Sequence, residues 1–167
     1  MIIRNERPKD YKAVHAVNAS AFETPAEANL VEVIRHEVSP IISLVAEQKG
    51  EIVGHILFSP VSLSGHADLK IMGLGPLAVA PAHQGMGIGS ALVKTGLEMC
   101  KELGAGAVIV LGHPGYYPRF GFCPSVRFGI RSEYEVPQEV FMVMELQPDY
   151  LINASGTIQY HAAFKDV

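Results

Sequence analysis

"VAPAHQGMGIGSALV", Val79 to Val93, decides how the rest of the chain is read. Gly85, Gly87 and Gly89 alternate directly before a stretch of helical periodicity. Glycine loses more backbone freedom on folding than any other residue, so three of them at a helix start need a physical reason. The segment before them, Leu69 to Val79, reads as a long strand. The segment after them, Gly87 to Leu103, reads as an amphipathic helix. Ile88, Leu92, Gly96, Met99 and Leu103 share one face of it, and Lys94, Glu98 and Lys101 share another. A strand, a glycine loop and a helix N-terminus in this order make an anion site. The first helical N–H groups lack intrahelical partners, the helix dipole adds positive charge, and glycine lets a phosphate reach the amides. A tight strand-to-helix turn with no ligand accounts equally well for a lone glycine loop.

Two phosphate-binding classes fit poorly. A P-loop needs Lys and then Ser or Thr after its last glycine, whereas Gly89 is followed by Ser90 and Ala91. A dinucleotide-binding fingerprint needs an acid at the end of the next strand, and that strand ends in "VLGHP", Val110 to Pro114. The loop also comes halfway along the chain, after an antiparallel meander.

The remaining elements follow from periodicity. Ile2 to Glu6 starts as a short strand. Lys9 to Phe22 reads as a helix with Tyr11, Val14 and Ala21 inward. "TPAE", Thr24 to Glu27, has capping-box spacing with proline at the first helical position, and Leu30, Val31, Ile34 and Val38 continue a second helix to Pro40. Two strands, Ile41 to Gln48 and Glu51 to Leu63, flank Lys49-Gly50 as a hairpin. "AVIVLG", Ala107 to Gly112, is apolar throughout, as a strand buried on both faces is. "HPGYYPRFGFCPS" is rich in glycine and proline, and "EVFMVMEL", Glu139 to Leu146, is a further strand. The order β-α-α-β-β-β-α-β-(α)-β makes a mixed α/β fold. Residues 1–167 are expected to form one domain, with about 148–167 as a C-terminal arm.

The bulk properties narrow the function. Hydrophobic residues make up 49% of the 167 residues and charged residues 18%, which supports a packed core and excludes disorder. The net charge is −4 with no basic stripe, so a nucleic-acid partner is not expected. The two cysteines, Cys100 and Cys123, form neither a disulfide framework nor a CxxC pair. His15, His36 and His55 lack ligand spacing, so no metal is expected. No apolar run has the length of a membrane span, and "MIIRNERPKDY" is too polar for a signal peptide. The expected location is therefore the cytoplasm.

A third phosphate-binding class fits the loop. Gln84-x-x-Gly87-x-Gly89 resembles the Q/R-x-x-G-x-G/A signature of the GNAT superfamily of acyl-CoA N-acyltransferases. "YYPRFGF" resembles that family's Y-x-x-x-G-F element after its fifth strand. Phe22, the pattern from Glu27 to Arg35 and "FMVMEL" resemble one bacterial branch of it. The resemblance implies a mostly antiparallel central sheet of about six to seven strands flanked by helices. It also implies a splay between the fourth and fifth strands, where the acyl-pantetheine arm lies. Pro76, Gly73 and Gly75 agree with a bulge or an open edge on the fourth strand. The implied activity is transfer of an acetyl group from acetyl-CoA to a primary amine through a ternary complex.

The resemblance also implies residue roles. The backbone of Leu77, Ala78 and Val79 pairs with the arm. Gln84, Gly85, Met86, Gly87, Ile88, Gly89 and Ser90 hold the pyrophosphate, and Gly112 and Tyr117 complete the cofactor site. Val79 N–H or a neighbour donates to the developing oxyanion. Tyr117, or the adjacent Tyr116, gives a proton to the departing thiolate. His113 is a candidate base, although it equally fits a cofactor contact, and a water chain is the other option. Glu23 and Glu27 lie where the family's acceptor-side helices begin, and Glu27 also fits the capping box. Arg119 is either a surface residue or a phosphate contact. The acceptor stays open, and so does a homodimer. A different reading makes the domain a non-catalytic acyl-CoA sensor, which the presence of Tyr117 disfavours.

Overall fold

The computed structural model describes residues Met1–Val167. Its strands are β1 (Ile2–Asn5), β2 (Ile42–Gln48), β3 (Glu51–Leu63), β4 (Ile71–Val79), β5 (Ala107–Leu111), β6 (Cys123–Pro124), β7 (Ile130–Ser132), β8 (Phe141–Glu145) and β9 (Gly156–Gln159). Its helices are α1 (Tyr11–Ala21), α2 (Ala26–Glu37) and α3 (Ile88–Glu102), with short 3-10 turns between elements. The sheet runs β1-β2-β3-β4-β5-β8-β6, and β9 pairs with both β3 and β7. The pairs β1–β2, β2–β3, β3–β9, β5–β8 and β6–β8 are antiparallel, and β4–β5 and β7–β9 are parallel. The expected mixed, mostly antiparallel architecture is present. The sheet has nine strands rather than six to seven, because β6, β7 and β9 add short pairings in segments that carry no periodic pattern. The chain divides into two compact units.

The first unit comprises residues 1–59, 75–99 and 162–167. The β2–β3 hairpin turns at Lys49 and Gly50, with φ of 51° and 80°. Two left-handed residues suit the twist of a two-residue hairpin loop, which explains the Lys-Gly pair. Side chains alternate across β3. Leu57 packs with Val45, Val14, Val31 and Ile34, so α1 and α2 cover that face. Gly54 and Phe58 point the other way, toward α3. A Cβ on Gly54 would lie 3.0 Å from both Ile88 and Leu92, and one on Gly96 would lie 2.1 Å from the Phe58 ring. Gly96 therefore interrupts the apolar stripe of α3 to seat a fully buried phenylalanine, whose burial is worth about 2–3 kcal/mol.

Two ionic clusters tie the helices to this unit. Arg4 donates to Asp10 at 2.7 and 3.1 Å and to Glu47 at 3.0 Å. The Arg4 guanidinium holds the Asp10 carboxyl down at about 2, and the Arg7 amide adds to this. Arg35 pairs with Glu6 and lies over the Tyr11 ring, 3.9 Å from its centroid. Tyr11 is therefore not inward as its periodicity suggests. It is 39% exposed and roofs an ion pair instead.

A buried polar chain crosses the layer between α1 and the sheet. His55 is fully buried. Its Nδ1 accepts from Asn18 Nδ2 at 3.0 Å, which leaves the ring proton on Nε2 to be donated to Ser43 Oγ at 2.8 Å. Burial, with the Arg35 charge added, pushes His55 from 6.5 down to about 3. The folded chain keeps this ring neutral while the unfolded chain protonates it below 6.5. Stability is thus complete above the unfolded value and is lost as pH falls toward the folded one. We expect the urea midpoint to drop between about pH 7 and about pH 4, and His55→Gln to flatten that drop. A midpoint that does not move over this range would contradict the assignment.

The second unit comprises residues 60–74 and 100–161. Ala107 to Val110 are buried, as the apolar run requires, and β5 is flanked on both sides. It pairs in parallel with β4 from Ile71↔Ala107 to Leu74↔Val110, and antiparallel with β8. β4 continues for five residues beyond that ladder, to Val79. The expected C-terminal arm is divided between the units, with residues up to 161 in this one and 162–167 in the first. Ile158 of β9 is fully buried with Leu63, Ile71 and Ile109, whereas Ala162–Asp166 forms a 3-10 helix of the first unit.

Candidate active site

The loop after β4 is built by local bonds. Ala80 N donates to Val53 O at 2.9 Å, His83 N to Ala80 O at 2.8 Å, and the Gln84 side-chain amide to Val79 O at 3.0 Å. Gln84 thus braces the loop, which is a mechanical reason for an amide at this position. Gly85 and Gly87 take φ of 77° and 83°, a region that side chains enter only with strain. A Cβ on either would meet nothing within 4 Å. These glycines are therefore not squeezed by protein. Their conformation needs them, and they leave open space on the outer side of the loop.

α3 begins at Ile88, buried to 3%, which seats the helix end on the core. Ala91 N donates to Gly87 O at 3.1 Å, so the amides of Ile88 and Gly89 belong to the first turn, ahead of the intrahelical ladder. Gln84, Gly85, Met86 and Gly87 are exposed. No lysine or arginine occurs between Val79 and Val93, so positive potential here comes from amides and the helix dipole. On β4 the exposure alternates: Ala78 is buried, while Leu77 and Val79 are half-buried. This unit thus brings together Leu77 through Ser90 as one continuous strand, loop and helix start.

The second unit groups the other candidates. Gly112 follows β5, and its N–H donates to Val140 O at 2.9 Å. A Cβ on Gly112 would lie 2.2 Å from the Tyr117 ring, so this glycine admits the tyrosine. Tyr117 opens a 3-10 turn to Phe120, which ends at Gly121 with φ of 109°. The glycine of the G-F element therefore caps the tyrosine's own turn. Tyr117 is 8% exposed and packs edge-on against Tyr116 and Phe122, with centroids 5.1 and 5.7 Å away. Burial, helped by Tyr116, pushes its phenol up to about 12, so it stays protonated at neutral pH. Tyr116 is half-buried and His113 exposed. Arg119 donates to Tyr116 O at 2.8 Å and lies over the Tyr116 ring.

Glu27 does not form the expected capping box. The cap of α2 is Pro25, and the bond made there is from Ala26 N to Thr24 Oγ1 at 3.3 Å. Proline one position earlier than expected shifts the helix start, so Glu27 no longer reaches back. Asn18 was not among the expected site residues. Its only signal in sequence is a polar residue one turn after Val14 on a core-facing stripe. No three His, Cys, Asp or Glu side chains converge on a point that could hold a metal ion, and no helix is long and apolar enough to cross a membrane.

Similarity to known proteins agrees with this arrangement. The Acetyltransferase (GNAT) family model matches residues 9–122. The Escherichia coli (strain K12) protein named as an uncharacterized N-acetyltransferase, YhbS, is 36% identical over 165 residues, covering 98% of each chain. The E. coli YhbS structure in complex with CoA superposes with a TM-score of 0.93 at 35% identity, over 98% of this chain and 91% of that one. A GNAT family acetyltransferase from Brucella melitensis in complex with acetyl-CoA gives a TM-score of 0.81 at 36% identity, over 98% and 97%. With the glycine loop, the parallel β4–β5 pair and the match along nearly its whole length, this chain belongs to the Acetyltransferase (GNAT) family and is an N-acetyltransferase.

Proposed function

We propose that this chain transfers the acetyl group of acetyl-CoA to a primary amine by direct attack within a ternary complex. The observation that carries the reading is the open glycine loop, with Gly85 and Gly87 left-handed, unobstructed and set at the start of a 15-residue helix. Two similar proteins that hold CoA or acetyl-CoA, each aligned over 98% of this chain, support it. Residues 1–167 act as one catalytic domain in this reading, because the family match from 9 to 122 draws on segments of both units.

The thioester supplies an activated acetyl carbonyl, and the chain does the rest. Amides from Gly85 to Ser90 hold the pyrophosphate, with Gln84 keeping the loop in shape. The backbone of Leu77, Ala78 and Val79 lines the acyl arm, and Gly112 contributes to the cofactor side by seating the Tyr117 ring. An N–H at Val79 or its neighbour donates to the carbonyl oxygen as charge develops there. Tyr117 keeps its proton at Oη for the departing thiolate, and Tyr116 is the second phenol within the same cluster. His113, exposed just past β5, is the base candidate. Calorimetric titration with acetyl-CoA, NAD and ATP tests the reading. Acetyl-CoA is expected to bind and the two nucleotides are not. A folded protein that ignores acetyl-CoA would overturn it.

A further inference from the structure

A cavity of about 590 Å³ lies in the first unit, and none of its lining comes from the strand, loop and helix start between Leu77 and Ser90. α1 and the turn before it form one side, and β1 with the β2–β3 hairpin forms the other. The volume is that of a small-ligand site and would hold roughly twenty waters.

Three charged side chains of the lining are committed to one another. Arg4 uses both Nη1 hydrogens, on Asn5 O at 3.0 Å and Asp10 Oδ2 at 2.7 Å. It uses both Nη2 hydrogens as well, on Asp10 Oδ1 at 3.1 Å and Glu47 Oε1 at 3.0 Å. A guanidinium has one further donor, so the Arg4 Nε–H is left over. Asp10 is buried with both oxygens occupied, whereas Glu47 keeps Oε2 unused. The other two charged groups of the lining, Lys9 and Glu51, are exposed, and their side chains make no ion pair or hydrogen bond.

These uncommitted groups are sorted by sign. Lys9 adjoins Asp10, whose carboxyl its charge helps to hold low, so Lys9 belongs with the Arg4 Nε–H. The hairpin register pairs Glu47 with Ile52 and Gln48 with Glu51, so both carboxylates stand at the root of the turn. α1 contributes Ala13, Ala16 and Val17, whose small side chains leave the space open. Isolated surface charges attract weakly, but a concave wall concentrates their field on whatever enters. The complement is a molecule with a carboxylate at one end and an ammonium at the other. A single amino acid would leave most of the volume unfilled.

We propose that this cavity is a second binding site, separate from the candidate active site, for a short peptide with both termini free. The peptide carboxylate meets Lys9 and the Arg4 Nε–H, and its ammonium meets Glu51 and Glu47 Oε2. The ligand class is a zwitterionic oligopeptide of small residues, and its binding does not depend on coenzyme A.

Calorimetric titration with trialanine, N-acetyl-trialanine and trialanine amide, each with and without saturating coenzyme A, tests the assignment. Trialanine is expected to bind at least about tenfold tighter than either blocked form, and equally well when coenzyme A is present. Lys9→Glu should erase the loss that amidation causes, and Glu51→Lys the loss that acetylation causes. Both side chains are exposed and unpaired, so the fold should tolerate each reversal. No binding of trialanine, equal binding of all three peptides, displacement by coenzyme A, or preferences that survive both reversals would each overturn the inference.

Discussion

Gly87→Glu is expected to abolish acetyl-CoA binding while leaving the fold in place. Three effects act together at this residue. Its φ of 83° is one that a non-glycine residue adopts at a cost of about 1–3 kcal/mol, so the loop would move. The new carboxylate would stand at the start of α3, where in the proposed reading the amides receive phosphate oxygens, and would repel them. It would also fill the open space that the loop now offers. The fold should survive because the residue is exposed and a Cβ there touches nothing within 4 Å. We expect affinity to fall at least about a hundredfold, near 3 kcal/mol. Calorimetry, with circular dichroism and a thermal melt as controls, reads both parts of the prediction. Gly87→Ala separates strain from charge, and it should lose only about tenfold. Normal binding by the Glu variant would show that the phosphates sit elsewhere.

Tyr117→Phe should slow turnover about a hundredfold with acetyl-CoA affinity unchanged. The ring is 8% exposed and packed against Gly112, Tyr116 and Phe122, so phenylalanine keeps the packing and removes only the proton. With the phenol pushed up to about 12, its ionisation cannot limit the wild-type rate at neutral pH. The kcat profile should therefore show no loss from this group until well above the ordinary tyrosine value of 10.0. Gly112→Ala is a useful companion. Its Cβ, 2.2 Å from the ring, must displace Tyr117 and should lower kcat while the hydroxyl is still present. If Tyr117→Phe turns over at the wild-type rate, the proton comes from Tyr116 or from water.

Much of this was legible in the chain because it depends on a residue's own stereochemistry. Lys49-Gly50 turns a hairpin and Ala107 to Val110 bury on both faces, each as read from neighbours in sequence, while the left-handed φ of Gly85 and Gly87 is seen only in the structure. β3 occupies Glu51–Leu63, the span its pattern indicates. Elsewhere local pattern misled. Tyr11 has helical spacing for the core, yet the Arg35–Glu6 pair draws it outward. Thr24 to Glu27 has the spacing of a capping box, yet Pro25 takes the cap.

By itself, then, the sequence determined that a strand, a glycine loop and a helix follow one another from Leu77 to Ser90, because backbone conformation there follows from missing side chains and short-range periodicity. Tertiary structure alone decided why Gly96 is a glycine, since the Phe58 ring that needs the space comes from a distant strand, and only the folded loop shows that Gly112 makes room for the Tyr117 ring. It also decided that Asn18, Ser43 and His55 form one buried chain, and that Asn18 and Glu27 each keep an acceptor without a donor. A hydrogen bond made or left unmade depends on partners many residues apart, and no local pattern records them.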